Sequence, residues 1–188
     1  MLEAKLRPPP ARPEWVRRNR LVDELEKASQ RPVTLIAAPA GYGKTTAVTQ
    51  WLASPAGPAN TAWVSLDTAD NDPVRLWTHI ATALDRAGCA IARDIAVFVA
   101  AGSHDMLNTV LPKIISGMAE LASGVTLLID DFHIVRATAC HAQMDFLIKH
   151  LPEQVHVVLI TRADPTLRLG RLRAAGQLSE IRADDLAF

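Results

Sequence analysis

Cysteine is nearly absent: only Cys89 and Cys140 occur, and they do not form a C-x-x-C pair. Two distant cysteines give neither a disulfide scaffold nor a zinc site, so a reducing cytosol is the expected compartment. Charge of one sign is missing too, since 20 basic and 20 acidic residues give a formal net charge of zero. Without a global positive field, this chain is not expected to bind nucleic acid by itself. No apolar run reaches the ~18 residues of a membrane helix. The opening "MLEAKLRPPPARPEW" has no apolar signal-peptide core. These absences predict a soluble, cytoplasmic chain with no membrane partner. What remains is 188 residues that are 49% hydrophobic, enough for one domain with a sizeable core.

The pattern along the chain alternates strands with helices. "LRPPPARPEW" (Leu6 to Trp15) reads as an extended arm, or as a tether without function. "RNRLVDELEKASQ" has Leu21 and Leu25 one turn apart and predicts a short helix. The apolar run "PVTLIAAP" predicts a strand buried on both faces. "GKTTAVTQWLAS" then shows helical spacing at Ala47, Val48, Trp51 and Leu52. Further strands are expected at Asn60–Asp67, Val125–Asp131, Val155–Arg162 and Leu178–Ile181. Helices are expected between them, one of them opened by Asp72 as N-cap and Pro73 as first helical residue. Residues 91–106 stand open between helix and irregular connection. The alternation predicts a parallel, doubly wound α/β sheet.

The chemistry concentrates in "APAGYGKTT", Ala38 to Thr46. The Walker A pattern is G-x-x-x-x-G-K-[ST], and here Ala38 replaces the first glycine. Such a loop needs backbone N–H groups curled inward around phosphates, followed by a helix N-terminus that favours anions. Gly41 and Gly43 relieve the steric limits on that curl. Pro39 to Thr46, through Ala40, Gly41, Tyr42, Gly43, Lys44 and Thr45, are the expected nucleotide-binding residues. Lys44 would reach the β- and γ-phosphates, and the Thr45 hydroxyl would serve Mg²⁺.

"TLLIDDFH" is an apolar strand ending in aspartate, the Walker B pattern. Asp130 would hold Mg²⁺ beside Thr45. Asp131 stands where many such ATPases carry a glutamate that aligns water; it reads either as a short-reaching base or as a supporting or capping group. "VLITR" places Arg162 at a strand end, where its guanidinium would meet the γ-phosphate or form a surface ion pair. His133 is read as a sensor of phosphate or partner, or as a packing residue. Asp67, Asp70 and Asp72 are expected to cap and turn rather than to cluster a metal. Trp51, Trp63 and Trp77 are expected in the core. A strand at residues 60–66 lies between the two Walker motifs. It points to the branch in which the Walker B strand does not neighbour the P-loop strand.

Together with "SLDTADND", "DDFH" and "LSEIRADDLAF", these motifs resemble one family. It is the N-terminal ATPase domain of MalT-type, ATP-dependent transcriptional regulators of the LuxR family, which are STAND-class P-loop NTPases. The likeness runs from about Leu6 to Phe188, and the family commonly lacks the first Walker glycine. It implies a switch in which ADP holds the resting form and ATP favours self-association and promoter activation. It also implies a winged-helix domain, a helical-repeat sensor and a DNA-binding helix-turn-helix, none of which these 188 residues contain. The chain is thus expected to be a module truncated from a longer regulator, reaching DNA only through a C-terminal domain absent here. By the same resemblance Val16 and Arg17 would border adenine, although the arginines of "WVRRNRL" read equally well as a solvated basic cluster.

The combined expectation is a P-loop NTPase with a five-stranded parallel sheet sandwiched by helices, a three-layer α/β/α fold. Residues 1–19 would be an extended arm and base-contacting segment, and residues 20–188 the NTPase domain. The cofactors are ATP or ADP with Mg²⁺, Asp131, Lys44 and Arg162 are the catalytic candidates, and hydrolysis is expected to be slow. The alternative is a P-loop kinase or working ATPase, with "RADPTLRLGRLR" as a basic lid.

Overall fold

The computed structural model describes residues 2–12, 14–91, 95–97 and 105–187. Five strands form one parallel sheet: β1 (Val33–Ala37), β2 (Thr61–Ser65), β3 (Val125–Asp130), β4 (Val155–Thr161) and β5 (Leu178–Ile181), in the order β2-β3-β4-β1-β5. The helices are α1 (Leu2–Lys5), α2 (Asn19–Ala28), α3 (Lys44–Leu52), α4 (Pro73–Arg86), α5 (Leu111–Ala119), α6 (Thr138–Lys149) and α7 (Leu169–Ala174). Strand β4 stands between β1 and β3, so the Walker B strand does not neighbour the P-loop strand, as the sequence order predicts.

Strand alternation divides the core into two faces. Leu127 and Ile129 point to one side with Val157 and Leu159, where α4, α5 and α6 pack. Leu128, Val158 and Ile160 point to the other, against Leu21, Leu25, Ala47, Val48 and Trp51 of α2 and α3. Successive strand side chains alternate in direction, so burial on both faces requires the largely apolar runs seen in β1, β3 and β4, in which the polar Thr34, Thr126 and His156 are buried as well. The result is the expected three-layer α/β/α arrangement. Trp51, Trp63 and Trp77 are each at most 2% exposed and belong to the core.

Boundaries shift at the strand ends. The second, third and fourth strands each stop short of the expected Asp67, Asp131 and Arg162, because those residues turn out of the ladder at the carboxyl edge. Asp72 caps α4 by accepting from the Arg75 N–H at 2.9 Å, with Pro73 first in the helix. Asp67 and Asp70 form a reciprocal capping box on the 3₁₀ turn Thr68–Asn71. Among the described residues no three potential ligands gather as a metal cluster, and no helix is long and apolar enough to cross a membrane. Of the open stretch 91–106, residues 92–94 and 98–104 lie outside the described residues. Ile95–Val97 are helical, and Met106–Val110 form a wide π-helical turn leading into α5.

The amino-terminal stretch expected to be extended begins with a helical turn. Lys5 explains it: its Nζ donates to the fully buried Asp70 carboxylate at 2.6 Å and lies 3.0 Å from Asp67. Leu6 follows into the core at 4% exposure. Among the described residues, no helix or strand follows until the start of α2.

Candidate nucleotide-binding site

The loop between β1 and α3 has its curl set by two glycines in the left-handed region, Gly41 at φ 86° and Gly43 at φ 73°. Side chains rarely adopt such angles, so these are the positions that require glycine. Ala38 does not: among the described residues only those glycines, Gly88, Gly124, Gly176 and Asp131 have positive φ. Ala38 is 3% exposed and packs with the core on the α2–α3 side, closing the strand. The first helical bond of α3 runs from the Ala47 N–H to the Gly43 carbonyl at 2.8 Å. A helix's first N–H groups find no intrahelical carbonyl, and here they face the loop mouth as an anion would require.

Lys44 heads α3, and its Nζ donates to the carbonyls of Ala38 (2.6 Å) and Pro39 (2.9 Å), folded across the loop. Burial lowers its affinity for the proton, and nearby Arg162 lowers it further, while Asp130 and Asp131 oppose both. Thr45 is the next residue, and its hydroxyl donates to Asp130 at 3.0 Å. The end of β3 and the start of α3 therefore meet, although their strands are separated by β4.

Asp130 is 6% exposed. Burial pushes its carboxyl up to about 6, and the neighbouring Asp131 charge adds to this against the Thr45 hydroxyl, the Asp131 N–H and Lys44. A buried carboxylate beside a second one is short of positive charge. A hydroxyl and a carboxylate side by side are hard oxygen donors of the kind Mg²⁺ takes. Thr45 and Asp130 thus fit the metal that the motifs imply.

Asp131 has φ 57°, the left-handed region that aspartate tolerates better than most residues. That turn takes its side chain, 44% exposed, out of the strand direction. His133 Nδ1 lies 3.7 Å from the Asp131 carboxylate, too long for a hydrogen bond. Burial lowers the His133 pKa, with Arg162, Lys44 and Arg136 also disfavouring its charge and Asp131 opposing them. The Phe132 ring beside it is buried edge-on against His141. Arg162 is exposed just past β4, whose Thr161 pairs with Ala37. The carboxyl edges of β1, β4 and β3 therefore carry Lys44, Arg162, Asp130 and Asp131 along one rim, where open α/β sheets bind ligands.

The segment before α2 holds one residue that the sequence reading missed. Val16 is 64% exposed, and Arg17 is exposed at a cleft beside Trp15 and Gln50. Arg18 is the one on the loop: its guanidinium donates to the Tyr42 carbonyl at 3.3 Å and to the Leu186 carbonyl. A Cβ added at Gly43 would stand 3.1 Å from it. Gln50 braces the segment by donating to the Val16 carbonyl (2.8 Å) and accepting from the Arg18 N–H (3.1 Å). Spacing gave no signal for it: Arg17 and Arg18 stand four and three residues before buried Leu21, and both precede α2.

No protein-family model matches the chain. Among solved structures, it is similar to a signal transduction ATPase with numerous domains (STAND) that carries a tetratricopeptide repeat sensor, from Pyrococcus horikoshii. That match has a TM-score of 0.64 at 16% identity over 94% of this chain. A looser likeness, with a TM-score of 0.45 at 13% identity over 86% of this chain, is to PCH-2 of C. elegans. The chain spans 24% and 40% of the lengths of those two proteins. With the sheet order and the loop geometry above, the chain has the α/β fold of P-loop NTPases.

Proposed function

We propose that this domain binds ATP and ADP with Mg²⁺ and works as a slow, hydrolysis-timed switch within a longer bacterial transcriptional activator of the STAND class. The observation that carries the reading is the 3.0 Å approach of Thr45 to buried Asp130 at the mouth of a loop curled by Gly41 and Gly43. Pro39 to Thr46 cradle the phosphates, and Lys44 leaves the Ala38 and Pro39 carbonyls to meet them. Thr45 and Asp130 hold the metal, which neutralises phosphate charge when bound. Asp131 aligns the attacking water, and Arg162 donates to the γ-phosphate. Arg18, with Val16 and Arg17, forms the side facing the base.

The regulatory part of the proposal draws on the sequence motifs and on the neighbour from P. horikoshii being a signal transduction ATPase. A switch needs the two nucleotides to favour different arrangements, because a ligand with equal affinity for both shifts nothing. In the full-length protein the ATP form self-associates, and DNA is reached through another domain. The kinase alternative needs a mobile lid, yet in "RADPTLRLGRLR" Leu169 and Leu172 are buried in the core and the Arg168 N–H is bonded to Asp145 at 3.0 Å.

Calorimetric titration with ADP tests the site: Lys44→Ala should remove measurable binding, and unchanged affinity would exclude this loop. Incubation with ATP and candidate acceptors tests the class. Slow phosphate release to water supports the switch, rapid release supports a working ATPase, and transfer to a small molecule supports a kinase.

A further inference from the structure

The turn that carries Asp131 leads into a segment bonded from outside by His141, whose Nε2 lies 2.9 Å from the Val135 carbonyl, and more extensively by Asn71. Asn71 lies in the "DND" stretch after β2, far along the chain from that turn. Its Oδ1 accepts the Arg136 N–H at 2.7 Å and the Ala137 N–H at 3.1 Å. Its Nδ2 donates to the Ile134 carbonyl at 3.1 Å and to its own Thr68 carbonyl at 3.1 Å. The Cys140 thiol reaches the Asn71 carbonyl at 3.6 Å. One amide thus satisfies three backbone groups of the segment that leaves the active rim. Only asparagine and the longer glutamine carry a side-chain amide, with an acceptor oxygen and a two-donor nitrogen on separate atoms.

The anchor itself is fixed. Asp70 is fully buried and accepts from Lys5, from the Asp67 N–H at 2.8 Å and from His79 Nδ1 at 2.7 Å. Asn71 therefore projects from a locked 3₁₀ turn. Across from it, Asp131 occupies a left-handed backbone conformation, which persists only when surrounding structure holds it. The local bonds are the Asp130 carboxylate accepting the Asp131 N–H at 2.9 Å, the Ile134 N–H donating to the Asp131 carbonyl at 3.0 Å and the Val135 N–H donating to the Phe132 carbonyl at 3.1 Å; they leave the Ile134 carbonyl and the Arg136 and Ala137 N–H groups to Asn71.

We infer that Asn71 is a positioning residue for ATP hydrolysis: by clamping residues 134–137 it fixes the turn that aims the Asp131 carboxylate. The inference rests on the reading of Asp131 as the water-aligning group. It assigns Asn71 no contact with nucleotide, so binding and turnover should separate.

The test compares Asn71→Ala and Asn71→Asp in the same 188-residue chain. Asp keeps the acceptor for Arg136 and Ala137 but loses the donor to Ile134. Asn71→Ala should slow ATP turnover about tenfold or more, as small misplacements of an aligning group do, with the ADP dissociation constant within about twofold of wild type. Amide hydrogen exchange at Arg136 and Ala137 should accelerate in Asn71→Ala and much less in Asn71→Asp, which should also recover part of the turnover. In an Asp131→Asn background, Asn71→Ala should slow turnover no further. Unchanged exchange at Arg136 and Ala137 overturns the clamp. A parallel loss of ADP affinity, melting temperature and turnover, multiplying with Asp131→Asn, overturns the positioning role in favour of general support. If Asp131→Asn alone keeps full turnover, the water-aligning reading fails separately, and exchange alone decides the clamp.

Discussion

Replacing Asp130 by asparagine should stabilise the nucleotide-free, metal-free protein while removing its function. Burial and the Asp131 charge raise the Asp130 carboxyl from 3.8 to about 6. The folded protein therefore keeps this proton over a range where the unfolded chain has released it. More protons bound in the folded state means that stability falls as pH rises through the window from about 4 to about 6. Above that window the folded state carries the full cost of the buried charge, about 3 kcal/mol. Asparagine is uncharged and its carbonyl can still accept from the Asp131 N–H, but its amide nitrogen needs a partner of its own. A net gain of about 2 kcal/mol is expected at pH 8, or roughly 4–8 °C in melting temperature for a chain of this length. Thermal unfolding in chelator from pH 4.5 to pH 8 reads this directly: the two proteins should melt together at the acid end and diverge through pH 6. Adding Mg²⁺ and ADP should reverse the order, since binding to the folded state stabilises wild type by mass action. A variant no more stable than wild type at pH 8, or a gap that does not change with pH, would refute the account of a site short of positive charge.

Three further outcomes follow from the same geometry. Asp131→Asn should retain ATP binding by calorimetry and slow phosphate release by about 10²-fold or more, the usual worth of a positioned base. Arg18→Ala should weaken ADP binding about tenfold, because it loosens the loop at the Tyr42 carbonyl and removes a charge-assisted donor from the loop mouth; an unchanged dissociation constant would place the base elsewhere. Lys5→Met should lower the melting temperature by roughly 4–8 °C, from about 2 kcal/mol. That figure is discounted from a fully buried pair because Lys5 is 17% exposed while Asp70 is 0%. Asp70→Asn in the Lys5→Met background should recover most of the loss, and a melting temperature insensitive to Lys5 would mean that the first helical turn is not docked.

The sheet was legible because its signal is local. β1, β3 and β4 are apolar runs bounded by turn residues, and burial on both faces leaves no other use for them. The phosphate loop was legible for a related reason: its glycines sit at fixed offsets from Lys44, and backbone geometry requires them there. What the sequence concealed depends on contacts between distant segments. Arg17 and Arg18 are chemically identical, and only contacts with Tyr42, Gln50 and Leu186, distant in sequence, mark Arg18 as the one that crosses the loop. Lys5 sits in a stretch whose prolines announce an extended chain. Its partner Asp70 lies beyond β2, and an ion pair of that kind leaves no periodicity to read. Asn71 is concealed in the same way: an asparagine between two aspartates looks like turn chemistry. Its bonds to Ile134, Arg136 and Ala137 exist only once α4 and α6 have packed.

The place of β1 within the sheet bears on how the chain is made. Val33 pairs with Val157 along one edge and with Leu178 along the other. Both partners emerge from the ribosome long after β1 itself. For most of synthesis, "VTLIA" is thus a nascent strand with two unsatisfied edges, the kind of segment that recruits other chains. The Thr45–Asp130 contact likewise joins residues 85 positions apart, with β4 between β1 and β3. Vectorial synthesis thus exposes this segment until its partner strands are made.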